Sequence, residues 1–517
     1  MQRFLFFMLS GLALLPVMAD AEVTELDPMV VTATRVATPM SEVGSSVTLI
    51  SREQIESRQA EYVHEVLRGV PGLDVVRQGG PGQQTSVFLR GANSTHTLVL
   101  IDGIEINDPA NPGRSFDFAN LPVDNVERIE IVRGPGSTLY GSDAMGGVIH
   151  IITRKGSGKP VFTLAAEAGS FRTHTGKLAL RGGTGRFNYS LAGSYLSSQG
   201  ISAADQKFGN DEKDGYDRKA FSARLGLNAT DALVFDVFYH YLDAESELDT
   251  FGGPYGDDPN NTFNSRSNYF RTQANLSLFG GYWEQTLGFS LADYERSNSD
   301  DPDSDHPFDA TRTHYDSRLY KGDWQHNLAI SPASMLTLGV EYQEEKASSS
   351  DERSFLDYYS GQPATSSNSF PEKSANTTGY YLQNQLQLGE NLVATAGLRL
   401  DDHSRFGSHE TWRLTASYLV PATGTRFKAT YGTAFKAPTL AQLYENSAWV
   451  VGNPDLDPEK SRGWDAGFEQ SLWQERITIG ATWFENRFTK LINTLWNPET
   501  FKYEYENVDK ARTKGLE

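Results

Sequence analysis

The stretch Leu392-Val393-Ala394-Thr395-Ala396-Gly397-Leu398-Arg399-Leu400-Asp401 alternates in character from one residue to the next. Its even-numbered positions are all apolar, whereas the odd-numbered positions from Thr395 onward are small or polar. Successive side chains of a β-strand point to opposite faces of the sheet, so this pattern predicts a strand with one apolar and one polar face. The same alternation recurs at 233–241 and at 476–483.

Two architectures use such strands, the soluble β-sandwich and the membrane-spanning β-barrel. Strand length favours the barrel, because runs of about ten residues recur after Lys155 and often end in an aromatic residue, whereas sandwich strands usually have about five or six residues. Tight links at 170–172 and 183–185 alternate with long polar loops, which we place at 200–217, 246–264, 297–311, 347–375 and 445–460. This arrangement predicts a transmembrane antiparallel β-barrel.

The number of barrel strands is about sixteen, and residues 512–517 look like the start of another. A barrel must close, because an open edge in hydrocarbon leaves backbone groups without hydrogen-bond partners. The sequence carries no terminal aromatic strand. We therefore expect it to be a C-terminally truncated version of a larger barrel.

The N-terminus has the order of a secretory signal peptide. Arg3 precedes the apolar run 4–17, and small residues surround Asp20. The apolar run is too short for a membrane helix of about 20 residues. We expect residues 1–21 to be removed on export, which leaves a soluble periplasmic protein or an outer-membrane barrel as alternatives.

Composition excludes several classes of function. The chain has no cysteine, which excludes disulfides and thiolate chemistry, and its net charge of −20 argues against binding to nucleic acid. The ten histidines are scattered, and Ser142 does not lie in a Gly-x-Ser-x-Gly elbow. We therefore expect no enzymatic activity.

Residues 41–155 have the pattern of a small α/β domain that precedes the barrel at 156–517. Ser51 is a suitable N-cap for a helix over 52–70, which Gly69 and Pro71-Gly72 would end. Short apolar runs predict strands at 46–50, 87–90, 97–101 and 126–132.

Several motifs resemble those of the TonB-dependent outer-membrane receptors, over the whole length of the chain. They are Gly-Gly-Pro-Gly-Gln-Gln-Thr-Ser-Val-Phe-Leu-Arg-Gly at 79–91, His-Thr-Leu-Val-Leu-Ile-Asp-Gly at 96–103, Ile-Val-Arg-Gly-Pro-Gly-Ser-Thr-Leu-Tyr-Gly-Ser-Asp-Ala-Met-Gly-Gly-Val-Ile at 131–149 and Gly-Asn-Pro-Asp-Leu-Asp-Pro-Glu-Lys-Ser at 452–461. Within the family they are most similar to the BtuB-type vitamin B12 (cobalamin) transporters, as is the closing segment 510–517.

This resemblance implies an α/β plug inside the lumen of an outer-membrane barrel of about 22 strands. It implies active transport of cobalamin, driven by TonB and its inner-membrane energising complex, by a monomer that contacts outer-membrane lipid and lipopolysaccharide. A ferric-siderophore receptor is the alternative substrate class. An outer-membrane adhesin or enzyme is the alternative of a different class, and it would need neither a plug nor a coupling segment.

The coupling segment is Asp27-Pro28-Met29-Val30-Val31-Thr32-Ala33-Thr34, within a linker over 22–40, and it resembles a TonB box. The run is β-prone and has no obvious neighbouring strand. We therefore expect its backbone groups to be open to a partner that offers a sheet edge.

Two plug loops rich in glycine and small polar residues, 79–86 and 107–116, suit contact with a large ligand. By the resemblance, the substrate-binding residues are Gln84, Ser86, Asn93, Asn111 and Pro112. Loop 107–116 departs from the family pattern in length and composition, notably at Asp108 and Arg114, and Asp117 follows it. These departures bear on the identity of the substrate more than on the fold.

Acidic loops provide a candidate calcium site, because flexible loops with several oxygen ligands suit this ion. By the resemblance, the ligands are Asn210, Glu212, Asp214, Asp249, Asp257 and Asp258. Glu212 stands where an aspartate is expected, and Ser202 replaces another. Solvated acidic loops without an ion are the alternative.

The resemblance also implies ion pairs between the plug and the barrel wall. They join Arg90 and Arg133, which follow plug strands, to Asp465 and Glu517 of the barrel. Charges removed from water need such compensation, so these pairs should matter more than surface pairs.

Overall fold

The computed structural model describes residues 28–249, 256–304, 306–357, 360–473 and 477–517. The first part is a plug domain. Its strands are β1 (Met29–Val30), β2 (Thr38–Pro39), β3 (Val47–Ser51), β4 (Leu73–Arg77), β5 (Thr85–Leu89), β6 (Thr97–Ile101), β7 (Ile104–Glu105), β8 (Val126–Arg133) and β9 (Gly147–Thr153), and its helices are α1 (Arg52–Ser57), α2 (Val63–Leu67) and α3 (Ser137–Tyr140). Five of these strands form one sheet in the order β3-β8-β9-β6-β7, and β4 pairs separately with β5.

The plug has an apolar core between its helices and its sheet. Ile55 and Leu67 from the helices pack with Ile129 and Ile149 from β8 and β9. Barrel side chains join the same cluster, among them Tyr269. The plug is therefore packed directly against the inner wall of the barrel.

The predicted helix over 52–70 is wrong as a single helix. Ser51 caps α1 as expected, with its hydroxyl accepting from the Gln54 amide, but the helix ends at Ser57 and Gln59 has a positive φ of 51°. The amide of Val63 donates to the carbonyl of Leu121, 3.0 Å away. This long-range contact draws the chain out of the helix before α2 begins.

The second part is a 17-stranded sheet in which the long strands pair antiparallel in chain order, whereas the two-residue strand Val450–Val451 pairs parallel with Lys502–Leu516. Its strands are β10 (Val161–Ala168), β11 (His174–Thr184), β12 (Phe187–Ile201), β13 (Asp214–Asn228), β14 (Leu233–Glu247), β15 (Thr262–Leu278), β16 (Trp283–Asp300), β17 (Ala310–Ser331), β18 (Ser334–Leu356), β19 (Pro363–Leu388), β20 (Leu392–His403), β21 (Gly407–Val420), β22 (Thr425–Lys436), β23 (Val450–Val451), β24 (Glu459–Leu472), β25 (Ile477–Asn497) and β26 (Lys502–Leu516). A short helix, α4 (Leu440–Tyr444), lies between β22 and β23.

The alternation of side chains separates the two faces of this sheet. Leu398 of β20 is 60% exposed on the outside, whereas its neighbours Arg399 and Asp401 are buried against the plug side. A barrel that presents apolar residues outward and polar residues inward has the two surfaces that a membrane and a hydrated lumen require. Among the described residues, no helix is long and apolar enough to cross a membrane.

Two details of the strand prediction need correction. Residues 512–516 do not begin a new strand, because they end β26, which starts at Lys502. The predicted loop 347–375 is mostly strand, since Ser349 pairs with Phe370 and the ladder continues to Leu356 and Pro363. Backbone pairing extends this hairpin although both of its faces are polar. The size of the closed barrel and the truncation stay predictions.

Candidate functional site

The plug loops predicted to meet the substrate lie at the end of the barrel that carries the long loops. Of the candidate residues, Gln84, Asn93 and Pro112 are exposed, Asn111 is half-buried and Ser86 is buried. Three candidate side chains are thus open to a ligand, and Ser86 would need a local movement to touch one.

The turn 79–84 fits closely against the barrel wall. Gly82 has a φ of 76°, and a Cβ added there would lie 1.9 Å from the Ser246 hydroxyl and 2.7 Å from the Tyr216 ring. A side chain at this position would displace the turn, because both the backbone conformation and the space require glycine.

The residues of loop 107–116 that differ from the family pattern face the barrel and not the open lumen. Asp108 accepts a hydrogen bond from Ser317 at 2.6 Å and pairs with Arg296 at 2.9 Å. Asp117 accepts from the amides of Thr85 and Ala119. These carboxylates hold the loop in place, so they need not alter the surface that a ligand meets.

Arg114 is the centre of a buried ionic cluster. It pairs with Glu105 at 2.9 Å, Asp143 at 3.1 Å and Glu345 at 2.9 Å, and the last of these belongs to barrel strand β18. Lys436 reaches Asp143 at 2.5 Å. The loop is therefore tied by charge to the plug and to two barrel strands.

Sequence reasoning missed the partners in this cluster. The sequence did contain a sign of them, because Glu345 and Lys436 occupy the inward-facing positions of strands whose alternate, outward-facing positions meet lipid. A charged residue on the inward phase indicates a lumen contact. Only the fold identifies the plug residue that it meets.

The structure brings the four residues of the proposed plug-to-barrel pairs together. Arg90 lies 3.0 Å from Asp465 and 2.9 Å from Glu517, with both Arg90 and Asp465 almost fully buried. Arg133 lies 3.6 Å from Glu517. Burial lowers the pKa of Arg133, to about 10, although Glu517 opposes the shift.

The N-terminal segment is folded, which corrects the expectation that its backbone is open. Asp27 lies outside the described residues, Met29 and Val30 pair with Pro39 and Thr38, and Thr32 to Thr34 are buried. The neighbouring strand comes from the linker itself, at Thr38–Pro39. Pairing with another protein therefore requires the segment to leave this place.

One carboxylate holds the middle of the segment. Glu130 Oε2 accepts from the Val31 amide at 2.9 Å, the Thr32 amide at 2.8 Å and the Thr32 hydroxyl at 2.7 Å. Burial would raise the pKa of Glu130, but the nearby His150 and the bonds from Thr32 outweigh burial and lower it. The acceptor is therefore ionised at neutral pH.

The barrel wall holds the end of the same segment. Arg35 pairs with Glu341 of β18 at 2.6 Å, and the Gln383 side chain donates to the Thr34 carbonyl at 3.1 Å. These two contacts are polar, but Val30 and Ala33 of the segment also pack in an apolar cluster with plug valines. Release of the segment therefore breaks polar contacts and also exposes these two apolar side chains.

The acidic loops bring three of the candidate metal ligands together. Oxygens of Glu212, Asp249 and Asp257 lie within 4.8 Å of one another. Asp214 lies beside them, because it and Asp249 accept from the successive amides of Ala203 and Ala204, each at 2.5 Å.

This cluster concentrates negative charge with little compensation. Buried oxygens of Glu212, Asp214 and Asp249 have no hydrogen-bond partner among the described residues. Burial and the neighbouring Asp214 and Asp249 raise the pKa of Glu212 to about 7. A bound cation would relieve both effects, so the residues fit the predicted ion.

The remaining two candidate ligands are placed differently. Asn210 lies beside the cluster, with its side-chain oxygen accepting from the Gly256 amide at 3.1 Å. Asp258 groups with Asp303 and His306 in a separate set, which corrects its assignment to the same site.

Family models match both parts of the chain. Residues 39–148 match the TonB-dependent receptor plug domain, and residues 163–517 match the TonB-dependent receptor-like β-barrel.

Solved structures with the same fold include siderophore receptors. A ferric enterobactin receptor of Pseudomonas aeruginosa, PfeA, is 20% identical, with a TM-score of 0.70 over 91% of this chain and 77% of the other. The siderophore receptor PirA of Acinetobacter baumannii is 20% identical, with a TM-score of 0.69 over 92% and 77%. PirA of P. aeruginosa is 22% identical, with a TM-score of 0.67 over 91% and 80%.

Proposed function

Because this protein belongs to the TonB-dependent receptor family of the bacterial outer membrane, we propose that it imports a large ligand by energy-coupled transport. The observation that carries the proposal is a plug held inside the barrel by polar and ionic contacts, with a β-prone N-terminal segment docked at its side. Such contacts close the lumen, and they can still be broken one after another. Family members are receptors and transporters, and no enzymatic step is proposed.

TonB is the proposed partner of segment 27–34. Once free of Glu130, the segment offers unpaired backbone groups and alternating side chains to a sheet edge of the partner. The residues next to it line a cavity together with Pro332 and Ser334, at one of the short turns of the barrel. The segment therefore lies at the end of the barrel that faces the periplasm.

The coupling proposal is tested by uptake into cells with and without TonB. Surface binding of the ligand should be the same in both strains, whereas accumulation should stop in the strain that lacks TonB. Equal accumulation in the two strains would mean that the protein acts as a passive pore.

Two substrates are proposed. A ferric siderophore is supported by the structural neighbours described above, which are siderophore receptors. Cobalamin is supported by the plug motifs at 79–91 and 131–149 and by the acidic loop cluster. Because the structural neighbours are siderophore receptors, we favour the ferric siderophore as the substrate.

Binding distinguishes the two substrates. Full-chain protein is titrated with cyanocobalamin and with ferric enterobactin, and the same titrations are repeated with Gln84→Ala and Asn93→Ala. The true substrate should lose affinity in these variants, because both side chains are exposed at the plug tips. A substrate whose affinity is unchanged by either variant does not bind at this site.

Calcium is the proposed structural ion of the acidic loops. Glu212, Asp249 and Asp257 would hold it, with Asp214 beside them, and the ion would offset their mutual repulsion. Ordering these loops in advance would reduce the entropy lost when the ligand binds. By linkage, the ligand and calcium should then tighten each other's binding.

The test compares Asp249→Asn with Asp205→Asn, an exposed aspartate outside the cluster. Isothermal titration with calcium should show weaker binding for Asp249→Asn alone. Ligand affinity should also become independent of calcium in that variant. Equal calcium affinity in the two variants would mean that the cluster is a solvated acidic loop without a calcium site.

A further inference from the structure

A cavity of about 570 Å³ lies between the plug and the barrel wall, and we call it the lower chamber. Its plug side is formed by residues of β6, β8 and β9 and by the turn at 102–103, and its barrel side by residues of β13 to β18. Sites that hold small molecules usually have volumes of about 300–1,000 Å³. The lower chamber is therefore large enough to hold one ligand of that size.

The lower chamber lies in the periplasmic half of the barrel. Two of its lining residues, Asn275 and Thr286, pair with each other across β15 and β16, near the short turn at 279–281. Lys155, which is exposed, lines it as well. None of the five candidate substrate-binding residues of the plug tips is among its lining residues. The chamber is therefore a separate place from the site proposed at the plug tips.

The docked N-terminal segment forms part of the chamber wall. Val31 and Arg35 both line the cavity. Val31 is held there by Glu130, and Arg35 is held by its ion pair with Glu341 at 2.6 Å. When the segment leaves, both side chains are removed from the wall. Release of the segment therefore enlarges the chamber and opens it toward the periplasm.

The lining of the chamber carries an excess of positive charge within an acidic protein. Six basic residues and four carboxylates line it, in a chain whose net charge is −20. The lining residue His150 adds no charge, because its Nε2 accepts a hydrogen bond from the Gly103 amide at 3.1 Å and so carries no proton. The lining therefore has two positive charges more than negative ones.

Arg224 of β13 is the basic residue of the chamber that is best placed to meet a ligand. Its guanidinium donates to the Thr153 carbonyl at 2.7 Å and lies over the Phe238 ring, 5.0 Å from the ring centre. It forms no ion pair with a described residue, and its buried Nε has no hydrogen-bond partner among them. By contrast, Arg271 pairs with Asp323 at 2.7 Å. The geometry fixes Arg224 in the chamber without neutralising it.

We propose that the lower chamber is a second binding site, which holds an anionic iron chelate on the periplasmic side of the plug sheet. This inference rests on the proposed import of a ferric siderophore. The Arg224 fork donates to oxygens of the chelate, and a charged acceptor makes such bonds stronger. A neutral ligand gains nothing from the excess of positive charge.

The same arrangement provides a way to release the chelate. Arg35 leaves the chamber with the N-terminal segment, so five basic residues then face four carboxylates. The excess falls from two positive charges to one at the moment when the wall opens. Withdrawal of the segment therefore weakens the binding of the chelate and frees its path to the periplasm.

The test measures occupancy of the chamber in purified full-chain protein in detergent. The chain has no cysteine, so Thr286→Cys supplies a single thiol in the chamber wall. Ferric enterobactin, an anionic iron chelate, should protect this thiol from an uncharged labelling reagent in a saturable manner. Cyanocobalamin, which carries no net charge, should not protect it at the same concentrations. Absence of protection by ferric enterobactin, or equal protection by both ligands, would overturn the proposal.

Variants of Arg224 identify the group that binds the chelate. Adding Arg224→Gln should weaken protection about tenfold or more, the effect of losing a hydrogen bond between charged groups. Arg224→Lys keeps the charge and should stay within about threefold, and Arg186→Gln, at an exposed position outside the chamber, within about twofold. The labelling rate without ligand should be the same in all of them, which checks that the wall is intact. Equal loss of protection in the lysine and glutamine variants, or no loss in either, would overturn the proposal.

A further variant separates the chamber from the plug tips. Gln84→Ala/Asn93→Ala alters two exposed side chains at the tips and should leave protection of the chamber thiol unchanged, because detergent-solubilised protein is open to the ligand from both ends. Protection that is lost in this variant would mean one site at the tips, and it would overturn the proposal. Uptake that does not depend on TonB would instead contradict the proposed function, and it would leave protection of the chamber thiol as it is.

Discussion

The substitution Glu130→Gln should release the N-terminal segment from the plug. Glu130 is fully buried and accepts three hydrogen bonds from Val31 and Thr32, at 2.7 to 2.9 Å. Glutamine has nearly the same shape, but it is neutral and has one accepting oxygen. The change therefore weakens the docking contacts and leaves the packing of β8 in place.

The size of the effect follows from the loss of charge on these bonds. A hydrogen bond to a charged group contributes about 1.5–3 kcal/mol, against about 1 kcal/mol for a neutral pair. Summed over the three bonds from the segment to Glu130, the loss is about 1.5–6 kcal/mol. The released population should then rise roughly 10- to 20,000-fold, since each 1.4 kcal/mol is about a factor of ten.

Thiol labelling measures this population directly. The chain has no cysteine, so Ala33→Cys supplies a single thiol at a position that is 4% exposed. Its labelling rate should rise by the stated factor when Glu130→Gln is added. Arg128→Gln is the control, because it removes the ion pair from Arg128 to Glu130 and leaves the three bonds to the segment intact.

The pH dependence gives a second check on the same carboxylate. The pKa of Glu130 is lowered in the folded protein. The free energy that ionised Glu130 contributes to docking of the segment is therefore present above the ordinary glutamate pKa, and it is lost as pH falls through the lowered pKa. Protection of the introduced thiol should therefore persist on acidification to the ordinary range and fail below it. Labelling that is unchanged by Glu130→Gln, or raised equally by Arg128→Gln, would refute the reasoning.

Two other predictions concern the plug wall and the acidic loops. Arg90→Gln removes the buried cation that pairs with Asp465 and leaves Glu517 with only the longer contact to Arg133. Amides of β5 should then exchange with solvent at a free energy lower by about 3–5 kcal/mol, with the exposed Arg172→Gln as control. Unchanged exchange would mean that the pairs do not hold the plug. Because the pKa of Glu212 is raised to about 7, calcium affinity should fall as pH drops from 7 toward 5, and loop stability without calcium should fall as pH rises over the same range. Calcium titrations that give one affinity at both pH values would contradict this.

The barrel was predictable because its signal is local. Each strand repeats the two-residue alternation seen at 392–401, and that pattern is enough to assign the two faces of the sheet. The break between α1 and α2 was not predictable, since it comes from the contact of Val63 with Leu121. Propensity favours a continuous helix there, and a distant carbonyl overrides it.

The docked state of the N-terminal segment was hidden for a similar reason. Its partners Glu130, Glu341 and Gln383 are about one hundred to three hundred and fifty residues away. A β-prone run in a linker predicts the ability to form a strand. It does not indicate whether that strand is already paired within its own chain.

The most direct test of TonB-coupled transport is the separation of binding from uptake in Val31→Pro. Proline removes the Val31 amide and prevents strand addition at the centre of segment 27–34, while the plug tips that meet the ligand stay unchanged. Cells that carry this variant should bind the ligand at their surface with wild-type affinity and accumulate none of it. Cells that carry Ala37→Pro, at an exposed position beyond the segment, should both bind and accumulate the ligand. Accumulation at the wild-type rate in Val31→Pro cells would contradict the account.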